Sequence, residues 1–186
     1  SLGNQISVPN LNISDEGLHP KNGGAFSFDG EGTPTQNIQL VTNGILTQLL
    51  HSEATARKFG VKPTGHAGLG AKVSVSPDWL VVSKSESEMD KDESLSIKNT
   101  IKEYILIDEL SAIHSGVKAS QGSFSLPFDG WIVNDGKKTS IEAATVAGDI
   151  LKVLSSIVKI EDEQIVTHQG ISPHVWVENM SITGEA

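Results

Sequence analysis

Short apolar runs separated by turn residues dominate the pattern of hydrophobic and polar positions along this chain. Two such runs in residues 36–50 flank Asn43-Gly44, and Asn-Gly suits both positive-φ positions of a type I′ turn, which predicts a β-hairpin. Residues 71–83 predict strand on either side of a break at Pro77-Asp78, and Asn134-Asp135-Gly136 predicts a second tight turn. Further strands are predicted within 105–140, 157–167 and 174–183.

Helical spacing of the apolar residues occurs in three places. Residues 52–59 favour a helix, and the glycine that follows is placed to end it. Apolar residues in 97–105 recur at helical spacing, which predicts a helix leading into a strand. The clearest helix is predicted at 140–157, where one apolar stripe follows a capping box made by Thr139 and Glu142.

The order of these elements indicates the fold class. Strands and helices do not alternate as in a parallel sheet, so we predict an α+β fold with a largely antiparallel β sheet or barrel and two or three helices. The length of 186 residues fits one domain. Residues 1–24 are polar and rich in turn residues, and they are predicted to be an extended lead-in to a domain formed by residues 25–186.

Composition and charge exclude several classes of protein. The net charge of −9, from 14 Lys+Arg and 23 Asp+Glu, repels a phosphate backbone, so we expect no nucleic-acid binding. No apolar stretch approaches the ~20 residues of a membrane helix, so no membrane association is expected. The chain has no cysteine, which excludes disulfides and thiolate ligands and suits the cytoplasm. The polar run at 83–93 is expected to be a solvated loop rather than an acidic docking surface.

The histidines do not form the motif of a zinc protease. That motif needs two histidines one helical turn apart, with a glutamate beside the first to activate a metal-bound water. His51-Ser52-Glu53 lacks a second histidine at that spacing, and His168 and His174 flank Pro173, so one helix cannot present both. We therefore expect no metal site and no catalytic residue made from this chain alone. The remaining histidines are His19, His66 and His114.

Three other stretches have a structural interpretation as well as a chemical one. Residues 122–126 lack the second glycine of a nucleophile elbow. Residues 65–70 are rich in glycine but lack the Lys-Ser/Thr of a phosphate loop, and they are predicted to be a flexible or closely packed loop. Asp29 and Glu31 could pair for acid/base work or bind a hard cation, but the glycines beside them favour a turn.

Six segments of this chain, in order, resemble the C-terminal part of the TldD/PmbA family, whose members are labelled modulators of DNA gyrase. They cover roughly residues 25–184, and their order and spacing make the resemblance specific. The segments are Phe28-Asp29-Gly30-Glu31-Gly32-Thr33-Pro34-Thr35, Asn43-Gly44-Ile45-Leu46, Thr55-Ala56-Arg57-Lys58-Phe59-Gly60 with Thr64-Gly65-His66-Ala67, Ser115-Gly116-Val117 through Gly122-Ser123-Phe124-Ser125, Val146-Ala147-Gly148-Asp149, and Met180-Ser181-Ile182-Thr183-Gly184.

The resemblance implies a two-protein metallopeptidase system. One subunit carries His-Glu-x-x-x-His in its N-terminal half and adds a cysteine from its C-terminal domain as a zinc ligand. The other subunit is similar in fold and lacks the metal site, and together the two process unfolded polypeptides and leader peptides. The expected partners of the present chain are thus a TldD-like catalytic subunit and an unfolded or leader peptide, with self-association left open.

This chain resembles the metal-free, PmbA/TldE-like member. It reads Gly170-Ile171-Ser172-Pro173 where the cysteine is expected, so the resemblance implies no cofactor in this chain and zinc in the partner subunit. It also departs from the family pattern at His66, which replaces an asparagine, and at Pro63, Ser123 and Asp149. Two other functions stay open: an active zinc peptidase whose motif lies upstream, or a stand-alone binding module.

A glycine-rich stretch from His114 to Gly130 is the candidate substrate or partner groove. Its glycines leave the backbone accessible, and neighbouring aromatic residues could form pockets for alternate side chains of an extended strand. The alternative is a hairpin whose glycines serve tight turns and whose aromatic residues fill the core. The groove residues are His114, Ser115, Gly116, Gly122, Ser123, Phe124 and Ser125.

Overall fold

A computed structural model describes residues 1–85 and 101–185 of the chain. Within these ranges the chain forms thirteen β-strands and three short helices, and most strand pairs are antiparallel. The predicted α+β class is therefore confirmed, and the sheets of the described part are open rather than closed into a barrel. The longest helix in these ranges has seven residues, far fewer than the ~20 needed to cross a bilayer.

The elements follow one another in this order. The strands are β1 Leu11–Glu16, β2 Asn37–Thr42, β3 Ile45–Leu46, β4 Ala67–Gly68, β5 Ser74–Val75, β6 Leu80–Lys84, β7 Glu103–Leu110, β8 Val117–Lys118, β9 Ser123–Asn134, β10 Lys137–Asp149, β11 Ile157–Val166, β12 Gly170–Val177 and β13 Ser181–Glu185. The helices are α1 Glu53–Phe59, α2 Ile113–Gly116 and α3 Ile150–Ser155. The described residues divide into two compact units, 1–85 with 160–175 and 101–159 with 176–185.

The first unit is built on a six-stranded sheet in the order β11-β12-β6-β1-β2-β3. Here β1 is antiparallel to both β2 and β6, whereas β12 runs parallel to β6. Asn43 and Gly44 have φ of 50° and 75° between β2 and β3, which confirms the predicted hairpin. Helix α1 is confirmed as well: Ser52 caps its N-terminus by accepting the Thr55 N–H, and Gly60 ends it with φ 68°.

The N-terminal segment differs from its prediction. Residues 1–24 were expected to have little structure of their own, yet they contain β1, which lies between β2 and β6 in the sheet. Leu11 and Asp15 of this strand are buried, while the residues between them are half-buried. The local sequence pattern does not predict this strand, because its burial comes from neighbours that are distant in sequence. The boundary proposed at residue 24 stays a prediction.

The second unit contains a four-stranded sheet in the order β13-β10-β9-β7, with the short β8 also paired to β9. Strands β9 and β10 form a long hairpin whose turn residues Asp135 and Gly136 have φ of 46° and 82°, which confirms the predicted tight turn. The core of this unit lies on one face of the hairpin. Its buried members are Leu126, Phe128, Ile141, Ala144 and Val146.

The long helix predicted at 140–157 is wrong. Residues up to Asp149 form β10, and only Ile150–Ser155 are helical, capped by the Asp149 carboxylate. A β-bulge between Ile141 and Ala144, with φ 54° at Ala143, inserts one extra residue into the strand. The bulge places Ile141 and Ala144 on the same buried face at a spacing of three, which imitates the helical period.

Two smaller predictions also change. The strand predicted at 174–183 is divided between β12 and β13, with a turn in which Asn179 has φ 59°. The helix predicted within 97–105 ends in residues that belong to strand β7, and its first part lies outside the described residues. Most of the polar run at 83–93 also lies outside them.

Candidate functional site

Two loops with family-like sequences meet in the first unit. The first loop is residues 28–35 and the second is residues 64–67. The Asp29 carboxylate accepts the N–H groups of Glu31 and Thr33 within its own loop, both at 2.9 Å. Its other oxygen accepts the N–H of Ala67 in the second loop at 3.0 Å, and Gly30 donates its N–H to the Ala67 carbonyl at 2.7 Å. Asp29 therefore joins the two loops, and the predicted turn around it is confirmed.

Close packing of Gly65 brings the second loop against the first. Gly65 has φ 76°, and a Cβ at this position would collide with the carbonyl oxygen of Pro34. Residues 64–67 are all buried, so the glycine-rich stretch, which was predicted to be a flexible or closely packed loop, begins closely packed. Glycine is needed here both for the positive φ and for the close approach of two backbones.

A cleft of about 380 Å³ opens beside these loops, entirely within the first unit. Polar and aromatic side chains share its wall with several glycines. The side chains important for its chemistry are Phe26, Phe28, Asp29, His66 and Asp78.

A buried ion pair lies behind this cleft. The side chains of Asp15 and His66 are both fully buried, and Oδ2 of Asp15 lies 3.5 Å from Nε2 of His66. Asp15 also accepts the backbone N–H groups of Asp78 and Trp79, at 2.9 and 3.0 Å. Within the described residues neither ring nitrogen of His66 makes a well-formed hydrogen bond. The pair thus fixes the backbone at Asp78, and the imidazole of His66 lies buried behind the cleft.

The environment shifts the pKa values of these groups. Burial alone would raise the pKa of Asp15, but the adjoining His66 and the N–H groups of Trp79 and Asp78 outweigh it and hold that pKa below its usual value. Burial alone would lower the pKa of His66, but the neighbouring Asp15 outweighs it and raises that pKa above its usual value. The pair is therefore charged in weakly acidic solution.

The predicted groove residues lie in the second unit and are distant in sequence from the residues of this cleft. His114, Ser115 and Gly116 belong to α2, and Ser123, Phe124 and Ser125 begin β9. The pairing of β8 with β9 and the packing of Gly116 against the Ser125 backbone bring these two segments side by side. Gly122 has φ 71° and accepts the Ile150 N–H. Their role as a groove stays a prediction.

The sequence resemblance implies zinc in a partner subunit and none in this chain, and that expectation stays a prediction. Across residues 1–85 and 101–185, no three His, Cys, Asp or Glu side chains are grouped to hold a metal ion. The chain has no cysteine, and the carboxylates of Asp15 and Asp29 are already occupied by backbone N–H groups. No step of a metal-dependent reaction is derived from this chain.

Comparison with known proteins decides the family. The sequence profile of the PmbA/TldA metallopeptidase C-terminal domain matches residues 1–184. The chain belongs to the PmbA/TldD family. Metalloprotease PmbA of Escherichia coli O157:H7 is 30% identical over 190 residues, covering 100% of this chain and 38% of that protein. A Synechocystis metalloprotease is 29% identical over 170 residues, covering 88% of this chain and 34% of that protein.

Solved structures show that the PmbA/TldD domain keeps its fold among its relatives. A Thermotoga maritima protein described as a candidate modulator of DNA gyrase superposes with a TM-score of 0.82 at 32% identity, over 98% of this chain and 41% of that one. TldE from Thermococcus kodakarensis shares the fold, with a TM-score of 0.78 at 22% identity over 98% and 42% of the two chains. The present chain thus spans about two-fifths of the length of these structures.

Sequence reasoning missed Asp78 in the wall of the cleft and Asp15 behind it in this PmbA/TldD-family domain. Asp15 lies in the polar N-terminal segment, and Asp78 lies in the break between two strands. Neither residue belongs to a recognisable motif. The one available signal was the charge of Asp15 following the apolar Leu11 and Ile13, and β1 itself had not been predicted.

Proposed function

We propose that this chain is the C-terminal domain of a non-catalytic, PmbA/TldE-like subunit of a metallopeptidase complex that processes unfolded or leader peptides. The observation that carries the proposal is the stretch Gly170-Ile171-Ser172-Pro173, which stands where the sequence resemblance places the cysteine of a zinc-binding member. This stretch begins β12, where Gly170 and Ile171 are buried and paired with β6. In the proposal, the zinc and the bond cleavage belong to a TldD-like partner.

The role proposed for this domain is to hold extended polypeptide. Strand β7 lies at the edge of the second unit's sheet among the described residues, with a partner on one side only. Ile105, Ile107 and Leu110 of this strand are 36–40% exposed. An edge strand with free main-chain groups and apolar side chains can add an unfolded segment as a further strand.

The predicted groove continues this edge. Along β9, β7 pairs with the stretch from Asn134 to Phe128, and β8 pairs with Phe124 and Ser123. Residues 103–118 therefore follow one side of β9 from end to end, so the groove residues of α2 and early β9 lie where an added peptide would pass. This continuity favours substrate holding over a purely structural hairpin.

An arginine at Ser123 is expected to block processing without unfolding the domain. Ser123 is half-buried at the start of β9 and is paired with the short β8, so a long charged side chain there would obstruct a peptide passing beside β8. In a complex of the full-length protein with its zinc-bearing partner, we expect Ser123→Arg to lower the rate of leader-peptide cleavage at least tenfold. The melting temperature should change by no more than ~2 °C, as for most substitutions outside the packed core.

Ser140→Arg is the matched control. Ser140 is exposed on β10 of the same sheet, paired with Trp131 rather than placed at the β8 edge. This variant should cleave at the rate of the unmodified complex. If Ser123→Arg also cleaves at that rate, or if it unfolds, the stretch is structural and the groove assignment is wrong.

A further inference from the structure

Two Asn-Gly pairs occur in this chain, Asn22-Gly23 and Asn43-Gly44. Asparagine before glycine is open to an intramolecular reaction, because glycine has no Cβ to hinder the approach of its nitrogen. The glycine nitrogen loses its proton to hydroxide and attacks Cγ of the asparagine, and Nδ2 takes up a proton from water and leaves as ammonia. Water then opens the cyclic imide at either carbonyl, which gives aspartate or isoaspartate. The reaction therefore needs a glycine N–H that solvent can reach.

The turn between β2 and β3 protects Asn43. The N–H of Gly44 donates to the carbonyl of Leu11 at 2.8 Å, and Gly44 is buried. Oδ1 of Asn43 accepts the Ser85 hydroxyl at 2.9 Å, and the Asn43 N–H donates to the side chain of Asn12 at 2.8 Å. The attacking nitrogen can lose its proton only after the turn opens, so the fold slows the reaction at this pair.

The loop that contains Asn22 leaves the corresponding nitrogen accessible. Gly23 is exposed, and none of the described residues accepts a hydrogen bond from its N–H. A Cβ on Gly23 would meet nothing within 4 Å, so the space beside its backbone is open to solvent. The reaction at this pair does not have to wait for the fold to open.

The side chain of Asn22 is also held over the neighbouring backbone. Its Oδ1 accepts the Gly24 N–H at 3.0 Å, which folds the carboxamide back across Gly23. The same hydrogen bond stabilises the negative charge that develops on Oδ1 when the Gly23 nitrogen attacks Cγ. The reactive carbon is thus kept beside an exposed nitrogen, with a donor already in place at its carbonyl oxygen.

We propose that Asn22 is a site of spontaneous conversion to aspartate and isoaspartate in the folded protein, whereas Asn43 is protected by the fold. The inference goes beyond the proposed peptidase role and does not depend on it. Nδ2 of Asn22 donates to the Gly17 carbonyl at 2.8 Å, and a carboxylate has no such donor, so conversion breaks this hydrogen bond. Because Asn22 lines the cleft together with Asp29 and Asp78, conversion also adds a negative charge there.

Peptide mapping of the full-length protein tests the proposal. Folded protein and protein unfolded in urea are incubated in the same buffer, and conversion is followed by mass spectrometry with fragmentation of each peptide. A protease that cleaves after glutamate releases Asn22 within residues 17–31 and Asn43 within residues 32–53. In the folded protein we expect Asn22 to convert at least about tenfold faster than Asn43, which corresponds to ~1.4 kcal/mol of protection. In urea the two rates should agree within about threefold, because neither turn persists.

Gly23→Ala is the matched variant. The φ of Gly23 is not positive and an added Cβ has open space, so the melting temperature should stay within ~2 °C of that of the unmodified protein. The new methyl group hinders ring closure, so conversion at Asn22 should slow about tenfold. Equal rates at Asn22 and Asn43 in the folded protein, or an unchanged rate in Gly23→Ala, would overturn the proposal. A difference between the two pairs that persists in urea would also contradict it, because the fold would then not be the cause.

Discussion

Replacing Gly65 with alanine is expected to destabilise the first unit by about 3 kcal/mol or more. The residue has φ 76°, a conformation that costs an alanine ~1–2 kcal/mol, and its new methyl group would collide with the Pro34 backbone. Forcing extra atoms into a packed site adds a further ~1–3 kcal/mol. For a chain of this size the melting temperature should fall by roughly 6–12 °C or more, which circular dichroism measures.

Gly60→Ala isolates the conformational part of this effect. Gly60 has a similar φ of 68°, but a Cβ at this position would meet nothing within 4 Å. Gly60→Ala carries only the conformational cost, without a collision. Each kcal/mol of that cost should lower the melting temperature by about 2–4 °C. Similar losses in the two variants would contradict the close approach of the two loops. A much larger loss for Gly65→Ala would show that the loops are held together by backbone contact.

The second large effect concerns the pH dependence of the Asp15–His66 pair. We compare the unmodified protein with His66→Asn, which introduces the residue that the family pattern carries at this position. Removing one member of a buried pair leaves the other charge uncompensated and typically costs ~3–5 kcal/mol. The difference in unfolding free energy, measured by urea denaturation at several pH values, should therefore be large near pH 5–6.

The sign of the change on each side of that range follows from the two pKa shifts. The pKa of His66 is raised in the folded state, so its contribution is complete below its unfolded value of 6.5 and is lost as the pH rises through the folded value. The pKa of Asp15 is lowered, so its contribution is complete above 3.8 and is lost as the pH falls through the folded value. Asp78 faces the same imidazole and is present in both proteins. A difference that stays constant from pH 5 to 9 would contradict a charged pair.

Local turn chemistry explains which parts of the fold could be predicted. Asn43-Gly44, Asp135-Gly136 and Gly60 have positive φ, which few other residues adopt easily, so their identity alone indicates a turn or a helix end. Ser52 is recognisable instead by its side chain, which caps α1. The burial of β1 depends instead on β2 and β6, which come later in the chain. The bulge at Ala143 likewise changes the apparent period of β10 in a way that the sequence pattern cannot separate from a helix.

The candidate site likewise has some features that the sequence predicts and others that it does not. The resemblance marked the loops around Asp29 and Gly65 as family-like, but it did not indicate that a carboxylate of one loop binds the backbone of the other. Asp15 and Asp78 are 63 positions apart, and their hydrogen bond exists because β1 and β6 pair in one register. Long-range strand pairing therefore creates the cleft chemistry, and no local pattern reports it.

The most direct test of the account is a measurement of zinc content and peptide cleavage by the full-length protein, alone and with its family partner. Tag-free protein alone should contain far less than one equivalent of tightly held zinc and should not cleave a leader peptide, because this chain lacks the cysteine that the resemblance places in the C-terminal domain of a zinc-binding member. Adding the zinc-bearing partner should start cleavage. One equivalent of zinc together with turnover by the protein alone would contradict its assignment as the non-catalytic subunit.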